Sequence, residues 1–419
     1  MLPDPLVFDA AIIALRSVLP LDAPADVLLS RYFRENPLLG QRDRSFIAEL
    51  VFGVLRHLPS LQAACGKATP RLLAIAWLAR IEGHNARQLQ PYLTGPESDQ
   101  LPAIKAMRLA DQPLAVQWDL PDWLTNRLIE SYGEEEAGKL AQALTKPAPL
   151  DLRVNTLLAG RDEVLAQLQA EGLPAEATPW STTGIRIAGR PAINRHPLFE
   201  TGKIEVQDEG SQLLAALLAP RRGEMVVDFC AGAGGKTLAI GAMMQSTGRV
   251  YAFDVGEKRL NRLKPRLKRS GLSNVTPQLI AHENDNRIKR LARKIDRVLV
   301  DAPCSGLGTL RRNPDLKLRQ TPGSVAELPL KQAAILESAA RLVKPGGRLV
   351  YATCSLLPEE NEHIVEAFLA AHPEFSLQPA NAILAEQQIG IDTGYCLRLD
   401  PVHHQTDGFF AAALARTGT

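Results

Sequence analysis

Apolar positions in the first 140 residues recur at helical spacing. In RDRSFIAELVFGVLR, Phe46, Ile47, Leu50, Val51, Val54 and Leu55 fall on one stripe, the mark of a helix with one face turned to a core. Ala10–Val18, Leu72–Ile81 and Trp123–Leu128 repeat the pattern between Pro- and Gly-containing breaks. Residues 1–144 are therefore predicted to be all-helical, ending near Gly133 with one further helix to Leu144. Lys146-Pro147-Ala148-Pro149 reads as a linker, because consecutive X-Pro units disfavour helix. Beyond it the period changes. Leu150–Asn155 (LDLRVN) alternates apolar and polar, a helical stretch covers Arg161–Glu171, and a strand-like piece lies at Gly184–Ala188. Residues 145–215 are predicted to form a small α+β subdomain. In residues 216–419 the apolar runs MVVDF, RVYAF, RVLVD and GRLVYAT alternate with helical stretches at Lys236–Met243, Glu257–Ser270 and Leu328–Leu342. That alternation implies a mostly parallel sheet covered on both faces. Ligands of such sheets sit at the carboxyl ends of the strands, so the chemistry is sought there.

Composition narrows the class. A chain of 419 residues with 45% hydrophobic and 22% charged positions is neither disordered nor fibrous. No apolar run reaches the ~18 residues of a membrane span. Asp4 and Asp9 stand where a secretory leader would be basic and then apolar, so none is expected. Five cysteines without a C-x-x-C pair suit a reducing cytoplasm, where a special cysteine is catalytic rather than structural. No metal site is expected. The net charge of +2 hides an uneven distribution: residues 251–320 hold 17 Lys/Arg against 7 Asp/Glu, and residues 321–419 hold 6 against 11. A basic middle segment suits a partner carrying phosphates. The competing reading is a solvated helix face, since Lys258, Arg259, Arg262, Lys264, Arg266, Lys268 and Arg269 share one predicted helix.

The run MVVDF leads into Cys230-Ala231-Gly232-Ala233-Gly234-Gly235-Lys236-Thr237. Glycines there allow a sharp turn and close approach to a ligand, and the following helix offers free N–H groups. A P-loop would need Gly at position 230, and a dinucleotide fingerprint would need Gly or Ala at 237; Cys230 and Thr237 stand instead. The pattern that fits is an acid at the strand end (Asp228), a short glycine-rich turn and a second acid, Asp254, closing the next strand. Asp254 can accept from both ribose hydroxyls of an adenosine-containing ligand, with Phe253 or Val255 beside the base. This describes a site for S-adenosylmethionine.

RVLVD runs into Asp301-Ala302-Pro303-Cys304-Ser305-Gly306, and GRLVYAT into Cys354-Ser355. Cys65, Cys230 and Cys396 read as small buried hydrophobes. Two thiols on the ligand edge of one sheet call for a different explanation. Carbon 5 of a pyrimidine is too weak a nucleophile to take a methyl group directly. Addition of a thiolate to carbon 6 converts the ring to an enamine whose carbon 5 can, and a base must later remove the carbon 5 proton so that the thiolate leaves. A free thiol titrates near about 8.5, so the thiolate needs a cation or a helix N-terminus beside it. Cys354 precedes a predicted helix start, with Pro358 suited to the first turn and Glu359, Glu360 and Glu362 to its positive end. Asp301, protonated, can donate to N3 of a cytosine.

DFCAGAGGKT, DAPCSGLGTLRRNPDLK and YATCSLLPEENE resemble signature segments of the RsmB/NOP family of RNA cytosine-5 methyltransferases, and QDEGSQL (Gln207–Leu213) and DGFFAAAL (Asp407–Leu414) resemble two more, in the family's order. RDRSFIAELVFGVLR resembles the NusB-like RNA-binding domain of the branch that acts on small-subunit ribosomal RNA, and LDLRVNT its linking subdomain. The resemblance implies a Rossmann-like class I methyltransferase domain behind a NusB-like helical domain and a small RRM-like α+β subdomain. It also implies Cys354 as nucleophile and Cys304 as the thiol that assists product release, roles that chemistry alone leaves open. Cys230, Ala231, Gly232, Ala233, Gly234, Gly235 and Lys236 would hold the methionine end of S-adenosylmethionine, Asp254 the ribose, and Asp285 the adenine side, with Glu283 competing for that last place; Asp301 would border both cofactor and base. The family turn commonly has Ala-Pro where Gly232-Ala233 stands here.

Arg311, Arg312 and Lys317 are expected phosphate contacts, with the basic helix as a second surface. Aromatic residues make up only 5% of the chain, so recognition by shape and backbone with the target base unstacked is expected. The expected activity is methylation of carbon 5 of a cytosine in small-subunit ribosomal RNA. No obligate protein partner is evident and a monomer is expected. Transfer RNA or another ribosomal site as substrate, a non-catalytic RNA-binding assembly factor, and a P-loop hydrolase are the alternatives. The retained cysteines and acids count against the assembly factor, and Cys230 counts against the hydrolase.

Overall fold

The computed structural model describes residues 2–189 and 191–418. The chain packs into two compact units, Met1–Pro147 with Thr309–Pro322, and Ala148–Gly308 with Gly323–Thr419. No helix among the described residues is long and apolar enough to cross a membrane.

The first unit is helical. Its main helices are Pro5–Val18, Ala25–Glu35, Gln41–Arg56, Leu58–Cys65, Pro70–Arg80, Gly95–Ala106, Asp122–Tyr132 and Glu134–Leu144. Local chemistry sets several starts: the Asp4 carboxylate accepts from Leu6 N and Thr69 Oγ1 from Leu72 N, each just ahead of a proline in the first turn. Gly133, at φ 76°, makes the break between the last two helices. The predicted stripe Ile47, Leu50, Val51, Val54 and Leu55 is buried. Gly53 lets Gln41–Arg56 approach Pro70–Arg80, since a Cβ there would lie 2.3 Å from the Trp77 ring nitrogen.

The expected boundary at residue 144 leaves out part of this unit. Thr309–Pro322, from far downstream, belongs to it. Lys317 Nζ donates to the carbonyls of Arg56 (2.5 Å) and Asp119 (2.6 Å), Arg56 Nη2 donates to Arg311 O (2.9 Å), Ala25 N donates to Asp315 Oδ2 (3.3 Å), and Leu318 packs on the helical core.

The second unit holds two sheets. β1 (Leu150–Val154), β2 (Ala175–Ala177), β3 (Gly184–Ile187) and β4 (Ile204–Val206) pair antiparallel in the order β2-β3-β1-β4, with helices Arg161–Ala170 and Pro197–Glu200 between strands. The large sheet comprises β5 (Met225–Asp228), β6 (Arg249–Asp254), β7 (Val275–Leu279), β8 (Ile295–Asp301), β9 (Val343–Thr353), β10 (Phe375–Gln378), β11 (Cys396–Leu399) and β12 (Phe409–Arg416). It runs parallel from β9 through β8, β5 and β6 to β7, and antiparallel where β12 joins β9 and takes β10 and β11 on its far side. A buried polar seam ties the two sheets into one compact unit. Arg186 grips Asp151 with two nitrogens, Arg153 donates to Gln207 Oε1, Arg266 and Arg269 both pair with Glu205, and Glu209 accepts from Trp180 N and Ser181 N. The QDEGSQL segment supplies Gln207 and Glu209 to this seam.

Candidate active site

Because β5, β6, β8 and β9 are parallel, their last residues, Asp228, Asp254, Asp301 and Thr353, share one sheet edge. The turn after β5 is shaped by Gly232 (φ 57°) and Gly234 (φ 84°); a Cβ on Gly234 would fall 2.1 Å from Leu263 Cδ1. Gly234 N donates to Ala231 O, Ala231 N to Phe253 O, and Gly232 N to Asp254 Oδ2, each at 2.8 Å. Ala233 O accepts from Arg266 Nη1 at 2.7 Å, and Gly235 opens the helix Gly235–Met243. Asp228 is fully buried and accepts from Thr237 Oγ1 at 2.7 Å; burial pushes its pKa up to about 7.

Lys236 Nζ donates to Asp301 Oδ2 at 2.7 Å. Burial works against its charge, but Asp301 and the thiol of Cys354 outweigh that and raise its pKa. The pair ties the glycine-rich turn to the end of β8.

A cavity of about 300 Å³ opens at these strand ends. Phe229, Val255, Ile280, Pro303 and Ile335 give it apolar walls, and Cys230, Gly232, Asp254, Glu283 and Asp301 also line it. Asp254 is 4% exposed, and its Oδ1 accepts from Gly256 N and Arg259 Nη2, each at 2.6 Å. Apolar walls for a purine, acceptors for hydroxyls and no cradle for a phosphate chain fit S-adenosylmethionine.

Asp285 does not line this cavity. Its carboxylate caps the turn Asn286–Lys289, accepting from Ala281 N (3.0 Å) and Arg287 N (2.8 Å), bonds that hold its pKa below the usual value. Glu283 lines the wall instead. Two cations also reach the cavity: Arg259, read from the sequence only as part of the basic helix, and Lys331.

The thiols of Cys304 and Cys354 lie 3.4 Å apart, and Cys354 N donates to Cys304 Sγ at 3.3 Å. Both are free, the spacing being well beyond the ~2.05 Å of a disulfide. The hydrogen bond to Cys354, burial, and the charges of Cys354 and Glu360 push the Cys304 thiol well up. Glu360 is fully buried. Its carboxylate accepts from Ser305 N (2.8 Å), Ser305 Oγ (2.6 Å), Gln332 Nε2 (2.9 Å) and Ser355 Oγ. The sequence placed Glu360 at the positive end of a helix; instead Pro358–Glu360 is a single 3-10 turn, the α-helix begins at Glu362, and the side chain points at the cysteine loops.

The expected phosphate contacts separate. Lys317 is 2% exposed and Arg311 9%; the lysine ammonium is held by two carbonyls inside the helical unit, so it is structural. Arg312 is partly exposed. On helix Glu257–Ser270, Arg259 pairs with Asp254, and Arg266 and Arg269 with Glu205. Lys258, Arg262, Lys264 and Lys268 are exposed.

Residues 215–415 match the family model described as 16S rRNA methyltransferase RsmB/F, and residues 120–194 that of its ferredoxin-like domain. The probable ribosomal RNA small subunit methyltransferase B of Synechocystis is 34% identical over 97% of this chain and 98% of its own. The ribosomal RNA small subunit methyltransferase B of Sodalis glossinidius is 34% identical over 90% of this chain and 91% of its own. The crystal structure of PH0851 superposes with a TM-score of 0.81 at 28% identity, covering 99% of both chains. With its glycine-rich turn, acid-edged cavity and full-length likeness to these proteins, the chain belongs to the RsmB/F family of S-adenosylmethionine-dependent methyltransferases.

Proposed function

We propose that this enzyme, acting in the cytoplasm, methylates carbon 5 of a cytosine in small-subunit ribosomal RNA through a covalent adduct between Cys354 and carbon 6. The observation that carries this reading is the thiol pair at 3.4 Å beside the cavity. When bound, S-adenosylmethionine supplies a methyl group made electrophilic by its sulfonium. Asp254 would hold the ribose, with Val255, Ile280 and Ile335 around the adenine, Glu283 at its edge, and the turn from Cys230 to Lys236 along the methionine end. Cys354, in the field of the Lys236 ammonium, adds to carbon 6. Asp301, when protonated, would donate to N3 as electron density arrives there. Once carbon 5 is methylated, its proton passes to Cys304 Sγ as Cys304 gives its own thiol proton to the departing Cys354 sulfur, the carbon 6–sulfur bond breaks and the ring double bond re-forms. This splits one hard step into easier ones. Arg312 and the exposed cations of helix Glu257–Ser270 suit an RNA backbone, the target base being unstacked into the cavity.

The test is to incubate wild type, Cys304→Ala and Cys354→Ala with unmodified ribosomal RNA and S-adenosylmethionine, followed by denaturing gels. Cys304→Ala is expected to accumulate a protein–RNA adduct, and Cys354→Ala to form none. The reverse pattern exchanges the two roles, and methylation by Cys354→Ala removes the covalent mechanism.

A further inference from the structure

A buried anion beside a nucleophilic thiol is at first sight a fault, because a negative neighbour disfavours the thiolate. Glu360 nevertheless sits fully buried next to both cysteine loops. Its bonds are distributed so that each loop receives one or more. Ser305, which follows Cys304, donates through its backbone N and its hydroxyl; Ser355, which follows Cys354, donates through its hydroxyl. The two hydroxyls lie 3.2 Å from each other. Gln332 adds a third anchor by donating both to Glu360 and to Pro303 O (3.1 Å). The backbone carbonyl of Glu360 accepts from the buried Tyr351 hydroxyl at 2.6 Å, which fixes the carboxylate's own base. No neighbouring cation is paired with Glu360 among the described residues; the cation of the site, Lys236, is spent on Asp301 and faces Cys354.

We propose that Glu360 is a positioning residue that locks the strand ends after β8 and β9 at reactive spacing and keeps the negative charge of the thiol pair off Cys304. The two thiols then stand between opposite charges, Lys236 by Cys354 and Glu360 by Cys304. The groups facing Cys304 are Cys354, Glu360 and the Tyr351 hydroxyl. The consequence for the reaction is a division of labour: one sulfur attacks, while its neighbour keeps a proton available for the departing thiolate. This rests on the covalent reading above, and the step balances: as the carbon 6–sulfur bond breaks, Cys354 Sγ takes the proton of Cys304 Sγ, and Cys304 Sγ takes up the carbon 5 proton in exchange while the C–H electrons re-form the ring double bond.

Glu360→Gln keeps the shape and removes the charge; Glu360→Asp keeps the charge and shortens the reach. In full-length protein carrying Cys354→Ala, alkylation of Cys304 by iodoacetamide is followed against pH by mass spectrometry. Glu360→Gln is expected to lower the alkylation midpoint by about half a pH unit or more, and Glu360→Asp to leave it near its starting value. With both cysteines present, both variants are expected to lose about tenfold or more in kcat, with the KM for RNA and S-adenosylmethionine binding within about twofold. Ser355→Ala, a milder change for use if Glu360→Gln fails to fold, is expected to lower kcat with the same KM behaviour. An unmoved midpoint in Glu360→Gln, or undiminished kcat in the variants, overturns the proposal. The alkylation experiment needs no RNA, so a Cys304→Ala protein that forms no RNA adduct while the midpoint still shifts defeats the cytosine chemistry and leaves the placement of charge standing.

Discussion

Two stretches of the chain are dense in positive charge, helix Glu257–Ser270 and residues 311–319, and they meet opposite fates. In the second, Lys317 is buried and donates to two backbone carbonyls, and burial lowers its pKa to about 8. In the helix, four cations stand in solvent while three are tied to Asp254 and Glu205. Composition treats the two alike. What separates them is the carbonyls: an ammonium can leave water only where acceptors replace its hydration, and the turns after Arg56 and Asp119 present two.

That contrast can be broken by mutation. Lys317→Met leaves two buried acceptors without a donor and should destabilise the helical unit by about 2–4 kcal/mol in urea unfolding; an unchanged midpoint would place Lys317 back among the surface cations. Changing Lys258, Arg262, Lys264 and Lys268 together to Gln should leave thermal stability unmoved. It should cut ribosomal RNA affinity by roughly 10–100-fold and flatten its log–log salt dependence by about 3. Arg266→Gln, which removes a pair with Glu205 and a bond to Ala233 O, should cost about 1–2 kcal/mol in the same unfolding assay. The smallest effect concerns pH. Lys317 titrates lower in the folded chain than the ~10.4 of an unfolded lysine, so the unfolded state binds more protons between these values and stability rises with pH there. Wild type should gain about 1 kcal/mol on Lys317→Met between about pH 8 and 9; a flat difference would contradict the buried ammonium.

The strands that form the cavity edge were legible because short apolar runs ending in Asp228, Asp254 and Asp301 leave no other register. β7 was not: VTPQL carries Pro277 and little apolar surface, which only an edge strand tolerates, and β7 is the edge. The juxtaposition of Cys304 and Cys354 follows from neighbouring strands ending together, so the sequence exposes it. Glu360 and Lys317 were misread for one shared reason. Their partners, Ser305 and Gln332 for one, Arg56 and Asp119 for the other, are distant in the chain, and no local pattern announces a tertiary bond. Asp285 and Glu283 are two acids in one loop that local pattern cannot separate: Asp285 caps the following turn, and Glu283 lines the cavity.

The segment Thr309–Pro322 has a consequence for how the protein is made. Ribosomes deliver the amino end first, so the helical unit emerges long before the residues that complete it. Until Asp315, Lys317 and Leu318 are synthesised, the carbonyls of Arg56 and Asp119 and the amide of Ala25 wait without these partners. An amino-terminal fragment cut at the proline linker is therefore an unfinished fold, and the final closure of this unit is postponed until the first four strands of the methyltransferase sheet, β5 to β8, have been synthesised.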